Sequence, residues 1–351
     1  MMTVSPSAPS ERMALPLRPA CRAAPRVGAP LGLHAPVTAG FTPLPQRAGR
    51  AEAFALAAAG FPGLALDLDH ERGVVVPAET ERQLDALGLA YLRADHEAGE
   101  LPLEQTAALG DLLRQAEQRH VRGCYLELSG PVSLGLQIVD ERERPLAYDA
   151  PLREALAQQL ALRGVWLHQH VSLSLGTVVI GLDEPFLEAL DSPFCPLDWE
   201  EGGALLARSL VELPAPRALC VAGAPNWAAV LALPVDCVFF DAYAQSAGLI
   251  HAASAVAGYL DRGGRLAWGI VPSDAQLLAQ ERAETLAHRF MSSVAYLAAA
   301  GDIALEKLLM SAFISTSSRL GHLPPDVASH AVHCCTEVAT WLRQHYQLEE
   351  L

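Results

Sequence analysis

The sequence predicts an α/β fold, a (β/α)8 TIM barrel of eight parallel strands, with a helical insertion between strands 2 and 3. The chain has 351 residues, of which 51% are hydrophobic and 19% are charged, so it can bury one large core. Short β-rich apolar runs recur along it with helical stretches between them. Each run ends at, or directly before, Gly, Asp, Ser or Pro, which is typical of buried parallel strands.

Eight runs are the candidate strands. They span residues 34–40, 63–67, 124–129, 177–183, 218–222, 237–241, 265–271 and 312–315. Helical patterns lie between and after them at 50–59, 151–172, 226–233, 248–262, 274–300 and 325–346. The spacing between the second and third runs exceeds one crossover, and its patterns at 79–98 and 103–118 predict the helical insertion.

The chain is predicted to form one domain, with residues 33–347 as the barrel. Residues 1–32 are rich in Pro and Ala, carry a single acid (Glu11) and show no periodicity. Such a composition cannot bury enough apolar surface to order itself, so we expect a disordered tail.

Charge and cysteine usage restrict the partners and the compartment. The net charge of −15 repels phosphate backbones, so we expect no nucleic-acid partner. The most apolar stretch is broken by Pro225, Asn226, Pro234 and Asp236, which argues against a membrane span. Seven cysteines, an odd number without CxxC spacing, predict unpaired thiols and a cytoplasmic protein.

In barrels of this type the chemistry is expected where the strands end at their carboxyl side. The predicted strand ends carry polar or aromatic residues suited to a ligand site: Ser129, Asp183, Glu184, Cys220, Asp241, Tyr243 and Trp268. For several of them a purely structural role stays open. Asp183 and Glu184 suit a turn that caps backbone N–H groups, Asp241 and Tyr243 suit hydrogen bonding at the barrel mouth, and Trp268 suits packing.

Several strand ends resemble motifs of the cobalamin-independent methionine synthase family, in its short form that holds only the catalytic barrel. Glu127-Leu-Ser-Gly-Pro-Val-Ser133 is similar to its third strand end, and Leu182-Asp-Glu-Pro-Phe186 to its fourth. The resemblance continues in barrel order through Cys220–Trp227, Phe240–Tyr243, Ala267–Pro272 and Ile314–Gly321. It covers roughly residues 36–341.

This resemblance implies zinc-dependent methyl transfer to a thiol such as homocysteine, with zinc lowering the pKa of the bound thiol. The family's metal ligands fall here on Cys220, Ala222, Asp241 and Ser318. Alanine cannot bind zinc and a serine hydroxyl is a poor zinc ligand. We therefore expect no metal cofactor and a degraded zinc site, with zinc left open as an alternative. The family's first-strand histidine is replaced by Gln46.

The resemblance also implies residue roles. Asp183 is expected to hold the amino group of an amino-acid thiol, and Asp183, Asp241 and Cys220 are the candidate catalytic residues. Ser129, Asp183, Glu184, Tyr243 and Trp268 are the candidate substrate-binding residues. The methyl donor implied by the short form is a methylated corrinoid protein.

Two alternatives remain open. The chain is compatible with an inactive methionine synthase-like barrel that binds a ligand or has a regulatory role. The run Gln46-Arg-Ala-Gly-Arg50 is similar to a motif of the uroporphyrinogen decarboxylases, which would make the chain a different enzyme with a carboxylate-rich substrate.

Overall fold

A computed structural model describes residues 50–67, 72–75, 80–103, 109–110, 113–114, 116–117 and 123–346 of the chain. The predicted first strand (34–40), the predicted tail, the Gln46–Arg50 side chains and most of the second insertion helix lie outside the described residues. Within them the protein is an α/β structure with two sheets.

The larger sheet has six parallel strands in the order β3-β5-β6-β7-β8-β9. These strands are β3 Gly123–Ser129, β5 Thr177–Glu184, β6 Arg217–Val221, β7 Cys237–Phe240, β8 Arg265–Val271 and β9 Ala312–Thr316. All six predicted strands from residue 124 onward are confirmed, with ends shifted by at most one residue. Their core positions are apolar on both faces, as expected for strands covered on both sides.

The second predicted strand forms but has a different partner. Leu64–Asp67 (β1) pairs antiparallel with Arg72–Val75 (β2), and β2 pairs parallel with Ile138–Asp140 (β4). These strands form a separate three-stranded sheet, so the expectation that β1 continues the parallel barrel is wrong. The insertion is also not purely helical, because it contains β2 as well as a helix.

Helices connect the parallel strands. They are α1 Arg50–Ala58, α2 Thr80–Leu92, α3 Pro131–Gln137, α4 Ala150–Ser172, α5 Trp199–Glu212, α6 Trp227–Ala232, α7 Ala242–His251, α8 Ala253–Asp261, α9 Ala275–Leu278, α10 Ala283–Gly301, α11 Leu305–Met310 and α12 Pro325–Tyr346. Short 3-10 turns lie at His96–Gly99, Leu146–Tyr148 and Leu187–Asp191. The predicted stretches 248–262 and 274–300 are each divided into two helices. No helix among the described residues is long and apolar enough to cross a membrane.

The two faces of the six-stranded sheet carry separate apolar clusters. Alternate strand residues pack outward against the helices. The others form a smaller cluster on the opposite face, with Tyr125, Cys220, Phe239 and Phe313 among its members. Arg319, just after edge strand β9, contacts Glu127 on the opposite edge strand β3. The sheet is therefore curled like part of a barrel, with the smaller cluster on its concave face.

Among the described cysteines, Cys124 is disulfide-bonded, which departs from the expectation that the cysteines are unpaired. The free thiols are those of Cys195, Cys220, Cys237, Cys334 and Cys335.

Candidate functional site

Three buried side chains with metal-binding or proton-binding groups meet on the concave face. Glu127, Asp183 and Cys220 come from the adjacent strands β3, β5 and β6, and one ligand atom of each lies within 4.8 Å of the others. Register explains part of this arrangement, because Ser129, Asp183 and Cys220 are successive partners across the three strands. Parallel strands in register bring residues distant in sequence to the same level.

Arg319 supplies the positive charge of the cluster. Its Nε lies 2.9 Å from Oε2 of Glu127, and its Nη2 lies 2.7 Å from Oδ2 of Asp183. The guanidinium is only 8% exposed. A planar guanidinium can address two carboxylates at once, which a compact ammonium does less well.

Tyr125 connects the carboxylate side of the cluster to the sulfur. Its hydroxyl donates to Oε1 of Glu127 at 3.1 Å and lies 3.6 Å from Sγ of Cys220. Either the hydroxyl or the thiol could be the donor in the second contact. The ring stacks on Phe239, with centroids 5.2 Å apart. Tyr125 thus links Glu127 to Cys220 across the concave face.

Glu184 has a different environment from its neighbour Asp183. Its carboxylate accepts hydrogen bonds from the backbone N of Val132 (2.9 Å) and from the backbone N and the hydroxyl of Ser133 (2.7 and 2.6 Å). These donors stand at the start of α3. Burial nevertheless raises the pKa of Glu184 to about 7, with the donors opposing the rise.

Glu184 therefore links the segment Leu182–Phe186 to the segment Glu127–Ser133, whose sequences resemble the fourth and third strand ends of the family. Gly130 must lack a side chain, because a Cβ there would lie 2.3 Å from Oε1 of Glu184. The backbone N of Gly130 also donates to the carbonyl of Asp183 at 2.8 Å. Glu184 was predicted to bind substrate, and the structure places its carboxylate on α3 instead.

Asp241 and Tyr243 follow β7 and begin α7. The Asp241 carboxylate caps α7 by accepting from the backbone N of Ala244 at 2.9 Å, and burial raises its pKa. The Tyr243 hydroxyl donates to Oε1 of Glu281 at 2.7 Å, and Arg289 lies 4.2 Å from its ring centroid. Among the described residues, Asp241 does not belong to the metal-capable group of three.

Trp268 and Ser129 lie on opposite sides of the sheet. Trp268 is 1% exposed and belongs to the cluster packed against the helices, with ring contacts to Phe240 (5.1 Å) and Phe290 (5.3 Å). Its indole therefore faces away from the cluster of Asp183 and Cys220. Ser129 is buried beside Asp183 in the register of β3 and β5, at the level predicted for a ligand contact.

The group Glu127, Asp183 and Cys220 could hold a metal ion by donor type and proximity. However, the carboxylate oxygens Oε2 of Glu127 and Oδ2 of Asp183 already face Arg319, and Oε1 of Glu127 accepts from Tyr125. A divalent ion there would compete with a buried guanidinium for both carboxylates. The zinc implied by the family resemblance therefore fits these residues poorly while Arg319 is in place. Ser318, at a family ligand position, instead lies 2.6 Å from the hydroxyl of Ser273.

Sequence reasoning missed the roles of Glu127, Arg319 and Tyr125. A signal existed for the first: Glu127 is a charged residue within the apolar strand Gly123–Ser129, at a position that alternates with outward-packed leucines. A buried charge requires a partner, so it indicated a site. For Arg319 no local signal existed, since its partner lies 192 residues away.

Comparisons with known proteins give similarity in fold alone. No family model matches the sequence, and no curated protein matches it. A B12-independent methionine synthase from Shewanella sp. W3-18-1, in complex with selenomethionine, superimposes with a TM-score of 0.48 at 13% identity, covering 68% of each chain. A putative vitamin-B12-independent methionine synthase from Listeria monocytogenes gives 0.43 at 12% identity, covering 62% of this chain and 63% of that one. At these values the similarity does not assign this chain to a family.

Proposed function

We propose that this protein is a methionine synthase-like barrel that binds an amino-acid thiol such as homocysteine and transfers a methyl group to its sulfur. The strongest support is the buried cluster in which Glu127 and Asp183 share one guanidinium beside the thiol of Cys220. The strand-end motifs that resemble the family supply the reaction class. The cluster lies at the carboxyl ends of the strands, where barrels of this kind carry their chemistry.

The charge of the cluster suits an ammonium group. Glu127 and Asp183 are buried carboxylates, and Arg319 contacts both of them. A buried carboxylate favours cationic groups around it. The α-ammonium of an amino acid is a cation that donates charge-assisted hydrogen bonds to a carboxylate. Asp183, which the resemblance assigns to this role, is its proposed acceptor.

The proposed reaction is a methyl transfer in which the thiolate sulfur provides the electron pair of the new S–C bond. The bond between the methyl group and its donor breaks, and its electron pair stays on the donor. We propose a methylated corrinoid protein as donor, whose cobalt keeps that pair. Asp241 directly follows β7, whose Phe239 pairs with Cys220 of the cluster, and burial raises its pKa, so we propose it as the acceptor of the thiol proton.

Calorimetry with methionine and homocysteine tests the binding step. Asp183→Asn removes a charged acceptor, so we expect affinity to fall about tenfold to a hundredfold, from the 1.5–3 kcal/mol typical of such bonds. Asp85→Asn, the same change at an exposed position of α2, is the matched control and is expected to bind like the wild type. Absence of binding by the wild type, or equal affinity in Asp183→Asn, would contradict the proposal.

Methylcobalamin is a suitable probe donor for the transfer step. We expect the wild type to form methionine from homocysteine, detected by mass spectrometry, and to slow strongly in Asp241→Asn. The same variant should retain methionine binding, because Asp241 lies outside the three-residue cluster.

A second candidate function is ligand binding without turnover. It is favoured by the two buried carboxylates of the cluster, which oppose formation of a thiolate nearby, and by Ala222 and Ser318 at the metal-ligand positions that the family resemblance implies. Binding of methionine without formation of methionine from either methylcobalamin or a methylated corrinoid protein would select this candidate over the first.

A further inference from the structure

Arg319 connects the two edges of the curled sheet through a buried cluster of acids. It follows β9, and its Nε and Nη2 reach Glu127 on β3 and Asp183 on β5 at 2.9 and 2.7 Å. The side chains of Glu127 and Asp183 are 1% and 10% exposed, so water screens these charges little. A cation between two such carboxylates stabilises both in the ionised form.

The same carboxylates and the thiol of Cys220 form a donor set that a divalent transition metal would accept. Their ligand atoms lie within 4.8 Å of one another, and a tetrahedral zinc ion with bonds of about 2.0–2.3 Å would need only a modest contraction. A guanidinium and a divalent ion would compete for these two carboxylates, and their like charges would repel each other in this buried setting. The guanidinium contacts Oε2 of Glu127 and Oδ2 of Asp183, while the remaining oxygen of Glu127 accepts from Tyr125.

We propose that Arg319 is the resident cation of this site and excludes divalent metal ions from Glu127, Asp183 and Cys220. Binding a metal would require breaking two buried ion pairs and leaving a desolvated guanidinium beside a second positive charge. Removal of the guanidinium would uncover an acidic, sulfur-containing site that binds such ions. This inference concerns which cation the site holds, so it stands whether or not the protein transfers a methyl group.

Cobalt(II) is the probe, because a cysteine thiolate bound to it gives a charge-transfer absorption in the near ultraviolet. The full chain without an affinity tag is incubated with Co²⁺, dialysed and analysed for metal. We expect no such band in the wild type or in Arg319→Lys, which keeps the positive charge. In Arg319→Met we expect near-stoichiometric cobalt and the band. Cys220→Ser in the Arg319→Met background should remove the band, which separates this site from ions on surface histidines.

Stability provides a second readout. Arg319→Met removes the cation that contacts the two carboxylates, so its melting temperature should drop and should rise again on addition of Co²⁺ or Zn²⁺. If the Met variant does not fold, Arg319→Gln, which keeps hydrogen-bond donors without the charge, replaces it in both measurements. A Cys220-dependent cobalt band in the wild type would overturn the inference. So would a folded Arg319→Met or Arg319→Gln that binds no metal.

Discussion

The hydroxyl of Tyr125 occupies the space that a side chain at Gly181 would fill. A Cβ at Gly181 would lie 2.3 Å from the tyrosine oxygen, closer than any non-bonded contact allows. The two residues belong to neighbouring strands β3 and β5, and the tyrosine extends along the concave face to Glu127 and Cys220. Glycine at this position therefore determines whether the tyrosine can reach the cluster.

Gly181→Ala is expected to push Tyr125 away from Glu127 and Cys220 and to lower the free energy of unfolding by about 1–3 kcal/mol, as for overpacked cores. Gly258→Ala is the matched control, since a Cβ there meets nothing within 4 Å and the residue lies within α8. That control should be neutral or stabilising by roughly 0.5–1 kcal/mol. Urea denaturation measures both, and equal stability of the two variants would contradict this role of Gly181.

Glu184 should make stability depend on pH. Its pKa is about 7 in the folded protein against an ordinary value of 4.5, so between these values the folded state holds a proton that the unfolded state has lost. The free energy of unfolding must then fall as pH rises from 4.5 to 7. Glu184→Gln removes this contribution. We therefore expect the stability advantage of the wild type over Glu184→Gln to shrink between pH 5 and pH 8.

Glu200→Gln, at an exposed position of α5, is the control for this measurement and should leave the pH dependence of the wild type unchanged. Stability curves of wild type and Glu184→Gln that run parallel from pH 5 to pH 8 would show that Glu184 keeps its ordinary pKa.

Substitutions of Trp268 test whether this aromatic residue at a strand end packs in the core or binds the ligand. Because its ring contacts Phe240 and Phe290 between sheet and helices, Trp268→Ala should cost about 3–5 kcal/mol of stability. Trp268→Phe keeps an aromatic in this layer and should fold with a smaller loss. Methionine affinity of the folded Phe variant is expected to equal that of the wild type. A tenfold loss of affinity there would place Trp268 in the ligand site after all.

The sequence predicted the parallel strands well where burial alone defines them. Thr177–Glu184 and Arg265–Val271 are apolar runs with clear ends, and local composition suffices to identify them. Leu64–Asp67 is an equally good strand by itself. Its partner Arg72–Val75 contains Val74 and Val75, which favour a strand, but the local pattern did not show that it pairs antiparallel with Leu64–Asp67 in a second sheet.

Among the candidate site residues, too, local sequence predicted some positions but not all of their contacts. Asp183 and Cys220 were predicted from their place at strand ends, and the structure brings both into one buried cluster. Glu184 occupies the next position to Asp183 in the same strand, but its carboxylate binds the start of α3. Adjacent strand residues point to opposite faces, and only the packing of α3 determined what Glu184 would contact.

The sequence by itself determined the α/β class, the six parallel strands after residue 123 and the level at which polar side chains gather, because these follow from periodicity and from where apolar runs stop. Only the tertiary structure decided that Arg319 lies between Glu127 and Asp183. That contact joins residues 192 positions apart in sequence, and it exists because curling of the sheet brings its two edge strands together. Glu127 alone signals a buried charge within its strand, but the local sequence does not show which residue is its partner.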